Sequence, residues 1–183
     1  MRAILVFVIA FLTACAASPE KVQAVADAES ARLTPPTKPL SSFAEYEFRP
    51  MVFSSAIEEE KGKLEEAQEF EQNLNEKLLP LLENWRVASS EGSSDRLSIE
   101  TELTGLRIIS GGARFWAGAY AGNSFIDMDL RLVDTGTGDE IANVRIRKNA
   151  GAMGGAWSFG KSDQNLDEYV VSIIYDYLSD NYY

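Results

Sequence analysis

Residues 125–147 read FIDMDLRLVDTGTGDEIANVRIR and contain two runs in which apolar and polar side chains alternate. The first run ends at Asp134 and the second begins at Ile141. Alternation with a period of two is typical of a strand with one buried face. The glycine, threonine and aspartate residues between the runs are those that tight turns favour. This stretch therefore predicts a β-hairpin, which is the most direct tertiary contact that the sequence offers.

Other strands are predicted upstream of the hairpin. Residues 97–104 alternate in the same way, and residues 43–48 read as a short strand that ends before Pro50, because proline cannot donate to a strand ladder. A short extended piece is also expected at residues 85–88.

Two helices are predicted from apolar residues at three- and four-residue steps. The first begins near Ser55, where Glu58 completes a capping-box pattern, and it is expected to end or kink near Leu79, because Pro80 follows. The second covers residues 166–178. The order strand-helix-strand-strand-strand-helix predicts an α+β fold, with two amphipathic helices on one face of a mainly antiparallel sheet.

Composition narrows the classes of function. The chain has 183 residues, 45% of them hydrophobic, and a net charge of −11, which argues against binding to nucleic acid. It has no histidine, so catalytic schemes that need an imidazole base are closed to it, and so is the commonest metal ligand. No cofactor and no metal site is expected.

The start of the chain predicts a lipid anchor. A basic start and an apolar run of about nine residues are typical of a signal peptide and too short to span a membrane. Leu12, Thr13, Ala14 and Cys15 resemble the bacterial lipoprotein signal. That resemblance implies cleavage before Cys15, followed by attachment of diacylglycerol and an acyl chain such as palmitate. Ala16 after the cysteine implies the outer membrane, on its periplasmic face.

The predicted organisation has three parts. Residues 1–14 are the signal peptide, and residues 15–40, rich in alanine, serine and proline, are the acylated cysteine and a flexible tether. Residues 41–183 form a single α+β domain.

The candidate contact surfaces are a glycine-rich loop, residues 114–120, and the acidic face of the first helix, which carries Glu59, Glu65, Glu66 and Glu69. Residues 111–122 carry aromatic side chains among the glycines, and residues 151–160 are similar in composition. Such a loop fits an adaptable contact with a membrane or a protein partner, or a long connection whose aromatic residues fold back on the core. A small-ligand site built from the two stretches is a further alternative. The candidate partner-contact residues are Arg114, Phe115, Trp116 and Tyr120.

Asp134 suggests an alternative function, that of an aspartic peptidase. Residues 132–136 match the apolar-apolar-Asp-Thr-Gly pattern of aspartic peptidases, in which paired aspartates activate water. One copy of the pattern would require a dimer. The same residues also complete an ordinary hairpin turn.

The lipoprotein signal, the glycine-rich turn with Arg114, residues 133–142, the second glycine stretch and the C-terminal helix together resemble a bacterial envelope lipoprotein family known only as a domain of unknown function. More distantly, they are similar to the amino-terminal domain of the TolB protein and the periplasmic domain of the curli-secretion lipoprotein. The resemblance implies an envelope partner and no catalytic residues. The sequence therefore predicts a non-enzymatic interaction or assembly module on the outer membrane.

Overall fold

A computed structural model describes residues 26–88, 95–109, 122–150 and 166–183 of the chain. Five strands form one sheet: β1 (Glu45–Phe48), β2 (Val52–Phe53), β3 (Arg96–Arg107), β4 (Phe125–Asp134) and β5 (Glu140–Asn149). The helices are α1 (Ser55–Glu58), α2 (Lys61–Ala88) and α3 (Leu166–Asp180). Residues 26–30 are also helical, and Leu40–Ser42 form a 3₁₀ turn. In the described part of the chain, no helix has the length and hydrophobicity required to cross a bilayer.

The predicted hairpin of β4 and β5 is confirmed, and β5 forms one edge of the sheet. The strands pair antiparallel, with Met128 opposite Ile146 and Leu130 opposite Val144, so that these side chains share one buried face. In the turn, Gly138 has a φ of +78°, a conformation that glycine adopts without steric cost. β4 also pairs antiparallel with β3.

The sheet as a whole is mixed, with the order β1-β3-β4-β5 and β2 also pairing with β3. The predicted α+β class is confirmed, but β1 and β2 run parallel to β3. Glu45 lies opposite Arg96 and Val52 opposite Glu102, so the two short strands follow one another along the same edge. β1 and β3 run in the same direction because α2, a helix of 28 residues, returns the chain to the end of the sheet at which β1 begins.

The first long helix does not end at Pro80, so the predicted end near Leu79 is wrong. α2 continues to Ala88, and Pro80 lies on its exposed side. Beyond the proline, Leu82 and Trp85 are buried, and the Trp85 ring stacks on Tyr182 at 4.4 Å. This packing offsets the backbone hydrogen bond that proline cannot make. Residues 85–88, expected to be extended, are therefore helical.

One apolar face of the sheet carries the core. The stripe along α2 is buried as its spacing predicts, and α3 confirms the predicted C-terminal helix. Tyr177 of α3 is 1% exposed, and its hydroxyl donates to the Thr34 carbonyl at 2.8 Å. The opposite face of the sheet is polar.

The described part of the predicted tether packs against the domain. In residues 26–40, here called the edge segment, Ala26 and Leu40 are fully buried. The Thr37 amide donates to the Ile141 carbonyl at 2.9 Å, and Glu29 forms an ion pair with Lys148. The segment therefore follows β5 from its end to its start. Alanine and proline content predicted a flexible tether here, but the free edge of β5 supplies hydrogen-bond partners that composition does not reveal.

Candidate functional site

The predicted signal and loop residues lie outside the described residues. These are Leu12, Thr13, Ala14, Cys15, Arg114, Phe115, Trp116 and Tyr120. The ends of the glycine-rich loops are described, however, and they meet at Ser124. Its hydroxyl accepts from the Ile109 amide at 2.8 Å, and its carbonyl accepts from the Ala150 amide at 3.0 Å. Both loops therefore leave the same end of the sheet, next to a buried serine that no sequence pattern singled out.

Asp134 closes the hairpin turn and fastens the edge segment. One carboxylate oxygen accepts from the Gly136 and Thr137 amides at 3.0 and 3.2 Å, and the other accepts from Lys38 at 2.8 Å. The side chain is only 3% exposed. The hydrogen bond from Lys38 lowers the pKa of the Asp134 carboxyl, against the opposing effect of burial.

This geometry does not favour the aspartic peptidase alternative. A peptidase dyad needs a carboxylate that shares a proton with a second carboxylate and faces a water molecule. Both oxygens of Asp134 are instead engaged within the chain, and Lys38 stabilises the ionised form. Asp134 is therefore best explained as a structural residue of the turn.

A groove lies at the β1 edge of the sheet, on the opposite side from the edge segment. It encloses about 660 Å³ between β1 and the C-terminal half of α2. Its lining combines apolar and charged side chains from three elements: Glu45, Tyr46, Glu47 and Phe48 of β1, Arg96 of β3, and Leu79, Pro80, Leu82, Glu83 and Arg86 of α2.

The outer edge of β1 faces this groove. The Glu45 and Arg49 amides donate to carbonyls on the β3 side, at Asp95 and Ile99. Because successive residues of a strand direct their peptide groups to opposite sides, those of Tyr46 and Phe48 point away from β3. Arg86 of α2 confirms this direction, since its guanidinium donates to the Tyr46 carbonyl at 3.4 Å.

The wall of the groove that α2 forms is unusually apolar for an exposed helix surface. Leu79 is 53% exposed and lies beside Pro80, which also faces solvent. The sequence does indicate this surface, because Leu79 and Pro80 lie outside the apolar stripe that α2 buries. The interpretation of Pro80 as a helix breaker leaves this surface unpredicted.

The charges around the groove are mostly paired. Glu45 forms an ion pair with Arg96 at 2.6 Å, and Glu83 with Arg86 at 3.0 Å. Glu47 is held more loosely, with its two arginine contacts at 3.9 and 4.0 Å. Glu47 is therefore the carboxylate at this edge most available to a partner.

Among the residues that the structure describes, no group of three or more aspartate or glutamate side chains is arranged to hold a metal ion. The charged side chains of the polar sheet face pair instead with each other across strands, as Arg131 does with Glu100 and Glu140.

Comparison with known proteins adds little. No protein-family model matches the chain, and no curated protein matches it. Among solved structures, the chain is similar to a PelC dodecamer from Paraburkholderia phytofirmans, with 10% sequence identity and a TM-score of 0.43. The similarity covers 78% of this chain and 94% of that chain. A likeness at this identity and TM-score does not show a shared function or assembly.

The structural role of Asp134 predicts a pH-dependent effect of Asp134→Asn. A carboxyl with a lowered folded-state pKa stabilises the fold above its unfolded pKa, and that stability is lost as the pH falls through the folded value. Denaturant unfolding should show the variant less stable than wild type at pH 7, with the difference shrinking below a pH of about 4. Asp139→Asn, at an exposed position in the same turn, is the matched control. A difference that stays constant from pH 7 to pH 2 would contradict the ion pair with Lys38.

Proposed function

We propose that this chain is an outer-membrane lipoprotein whose domain binds an envelope protein and has no catalytic activity of its own. Support for the anchor comes from the residues Leu12 to Cys15, which match a lipoprotein signal. With a net charge of −11, the chain would be repelled by anionic lipid, so acyl chains on Cys15 must supply the membrane attachment. Two or more such chains hold a protein stably on a bilayer.

The observation that carries the interaction role is the groove beside β1. An exposed strand edge is a template for pairing with another chain, and natural proteins usually cover it. Here the β5 edge is covered by the edge segment, whereas the β1 edge faces a groove with an exposed apolar wall formed by Leu79 and Pro80. A groove of this composition suits a protein partner.

The position of the groove supports a partner in the periplasm. The edge segment begins at Ala26, near Lys148, and Lys148 lies in the same cross-strand row as Leu106 of β3. The groove is lined by Arg96 of β3, which precedes Leu106 by ten residues. At the spacing of a strand, these two positions are about 33 Å apart. About ten residues separate Cys15 from Ala26, and they span at most about 40 Å. The tether thus joins the domain at the loop end, and the groove lies at the end of the sheet farther from that attachment.

Arg114, Phe115, Trp116 and Tyr120 lie in the sequence between β3 and β4, outside the described residues. Their contact with a partner or with the bilayer stays a prediction. It concerns residues other than those named for the groove, so the two contacts can be tested with separate variants.

The anchor predicts the behaviour of Cys15→Ser. Cells that express the wild-type chain should incorporate labelled palmitate into it, and the serine variant should lose the label because no sulfur is present to acylate. Thr13→Ala is the control, since a small residue at that position preserves the signal pattern and should preserve labelling. Palmitate incorporation into the Cys15→Ser variant would contradict the proposed anchor.

The interaction role predicts a position-specific crosslink in intact envelopes. A photoreactive amino acid at Leu79 should yield one discrete crosslinked species larger than the chain. The same amino acid at Val87, which is 79% exposed on α2 but does not line the groove, should yield none. Equal crosslinking at both positions, or none at either, would contradict a docking role for the groove.

A further inference from the structure

The two edges of the sheet differ in a way that identifies what the groove accepts. At β5, the chain itself supplies the edge segment, and the Thr37 amide donates to the outward-facing carbonyl of Ile141. Near β1, the described partners from α2 are side chains: Arg86 donates to the Tyr46 carbonyl, and beyond the end of the strand Glu71 accepts from the Met51 amide at 2.8 Å. The β1 edge therefore has side-chain contacts from α2, whereas the β5 edge has a backbone hydrogen bond.

We propose that the groove binds an extended polypeptide segment that adds to β1 as a further strand, and that apolar side chains of this segment alternate with lysine or arginine. This inference rests on the proposed interaction role and names the chemistry of the partner. Addition of a strand to a sheet edge is a recurrent mode of peptide recognition, in which backbone hydrogen bonds supply affinity and alternate side chains supply specificity.

The backbone of β1 is suited to this pairing. The peptide groups of Tyr46 and Phe48 point into the groove, two residues apart, which is the spacing at which an added strand makes its hydrogen bonds. Arg86 reaches the Tyr46 carbonyl through a long side chain that is 56% exposed. An incoming amide that replaces the guanidinium leaves Arg86 its ion pair with Glu83.

The two faces of the added strand meet different surfaces. On the core side, its side chains contact Leu79 and Pro80 of α2, which favour apolar groups. On the polar side, they lie beside Glu45 and Glu47, and opposite charges on neighbouring strands attract. Alternation of apolar and basic residues satisfies both surfaces at once.

A second copy of this chain fits the groove less well. In the symmetric antiparallel pairing of two β1 strands centred on Glu47, the two Glu47 side chains face each other, and like charges in that position are destabilising. Each copy also carries a net charge of −11. The charge pattern therefore favours a basic segment from another protein.

The test uses residues 16–183, which lack the acylated Cys15, secreted through an ordinary cleavable signal peptide. The probe is an eight-residue peptide of alternating valine and lysine, blocked at both ends, and binding is measured by calorimetry. Glu47→Lys should weaken binding at least about tenfold, which corresponds to about 1.4 kcal/mol. Glu69→Lys, the same charge change at an exposed position of α2 outside the groove, should weaken it less than about twofold.

A second probe tests backbone pairing. The same peptide with alternate amides N-methylated, on the edge that pairs with β1, keeps its charge and side chains but cannot form the ladder. Its binding should fall at least about tenfold. Unchanged binding of the methylated peptide, or equal losses for Glu47→Lys and Glu69→Lys, would overturn strand addition. Concentration-dependent dimerisation that Glu47→Lys abolishes would also overturn it, in favour of a second copy.

Failure of this inference can be separated from failure of the proposed function. If the peptide does not bind while the Leu79 crosslink in envelopes persists, the interaction role stands and the strand-addition mode is wrong. If peptide binding is absent and the Leu79 crosslink is absent as well, the interaction role is wrong too.

Discussion

An open β-sheet has two edges, and each edge presents peptide groups that need hydrogen-bond partners. This constraint organises the molecule more than any single side chain does. At β5 the partner is the chain's own edge segment, held by the Thr37 amide, by Lys38 on Asp134 and by Glu29 on Lys148. At β1 the partner is a set of side chains from α2. The fold therefore has one closed edge, at β5, and one edge that faces a groove, at β1.

The polar face of the sheet is stabilised by charge pairing across strands. Asp127 accepts from Arg145 at 3.0 Å and from Arg147 at 2.9 Å. Partial burial raises the pKa of the Asp127 carboxyl, but the hydrogen bonds from the two arginines outweigh that effect and leave the pKa below its ordinary value. Exposed pairs of this kind contribute little stability one by one. Because of these pairs, most charged side chains on this face already have a partner of opposite charge. Glu47 at the β1 edge differs from them, because its contacts with arginine are long.

The sequence predicted those elements whose side-chain period is fixed locally. The β4–β5 hairpin, β3 and α3 each have one apolar face, and that face is visible in the spacing of residues such as Ile126, Met128 and Leu130. The features that escaped prediction depend on distant partners. Pro80 stays within α2 because Trp85 packs against Tyr46 and Tyr182, and β1 runs parallel to β3 because α2 is long enough to return the chain. The groove unites residues 45–48 with residues 79–86, so no local pattern could reveal it. The lipid signal and the partner-contact loop lie outside the described residues and stay predictions.

The central claim is that one edge of the sheet is closed by the chain's own backbone and the other is not. Amide hydrogen exchange of the mature chain, followed residue by residue by NMR at neutral pH, tests it most directly. We expect slow exchange for the Thr37 amide, which donates to Ile141, and fast exchange for the Phe48 amide, which faces the groove. A Phe48 amide protected as strongly as that of Thr37 would show that the β1 edge is already closed, and would contradict the account.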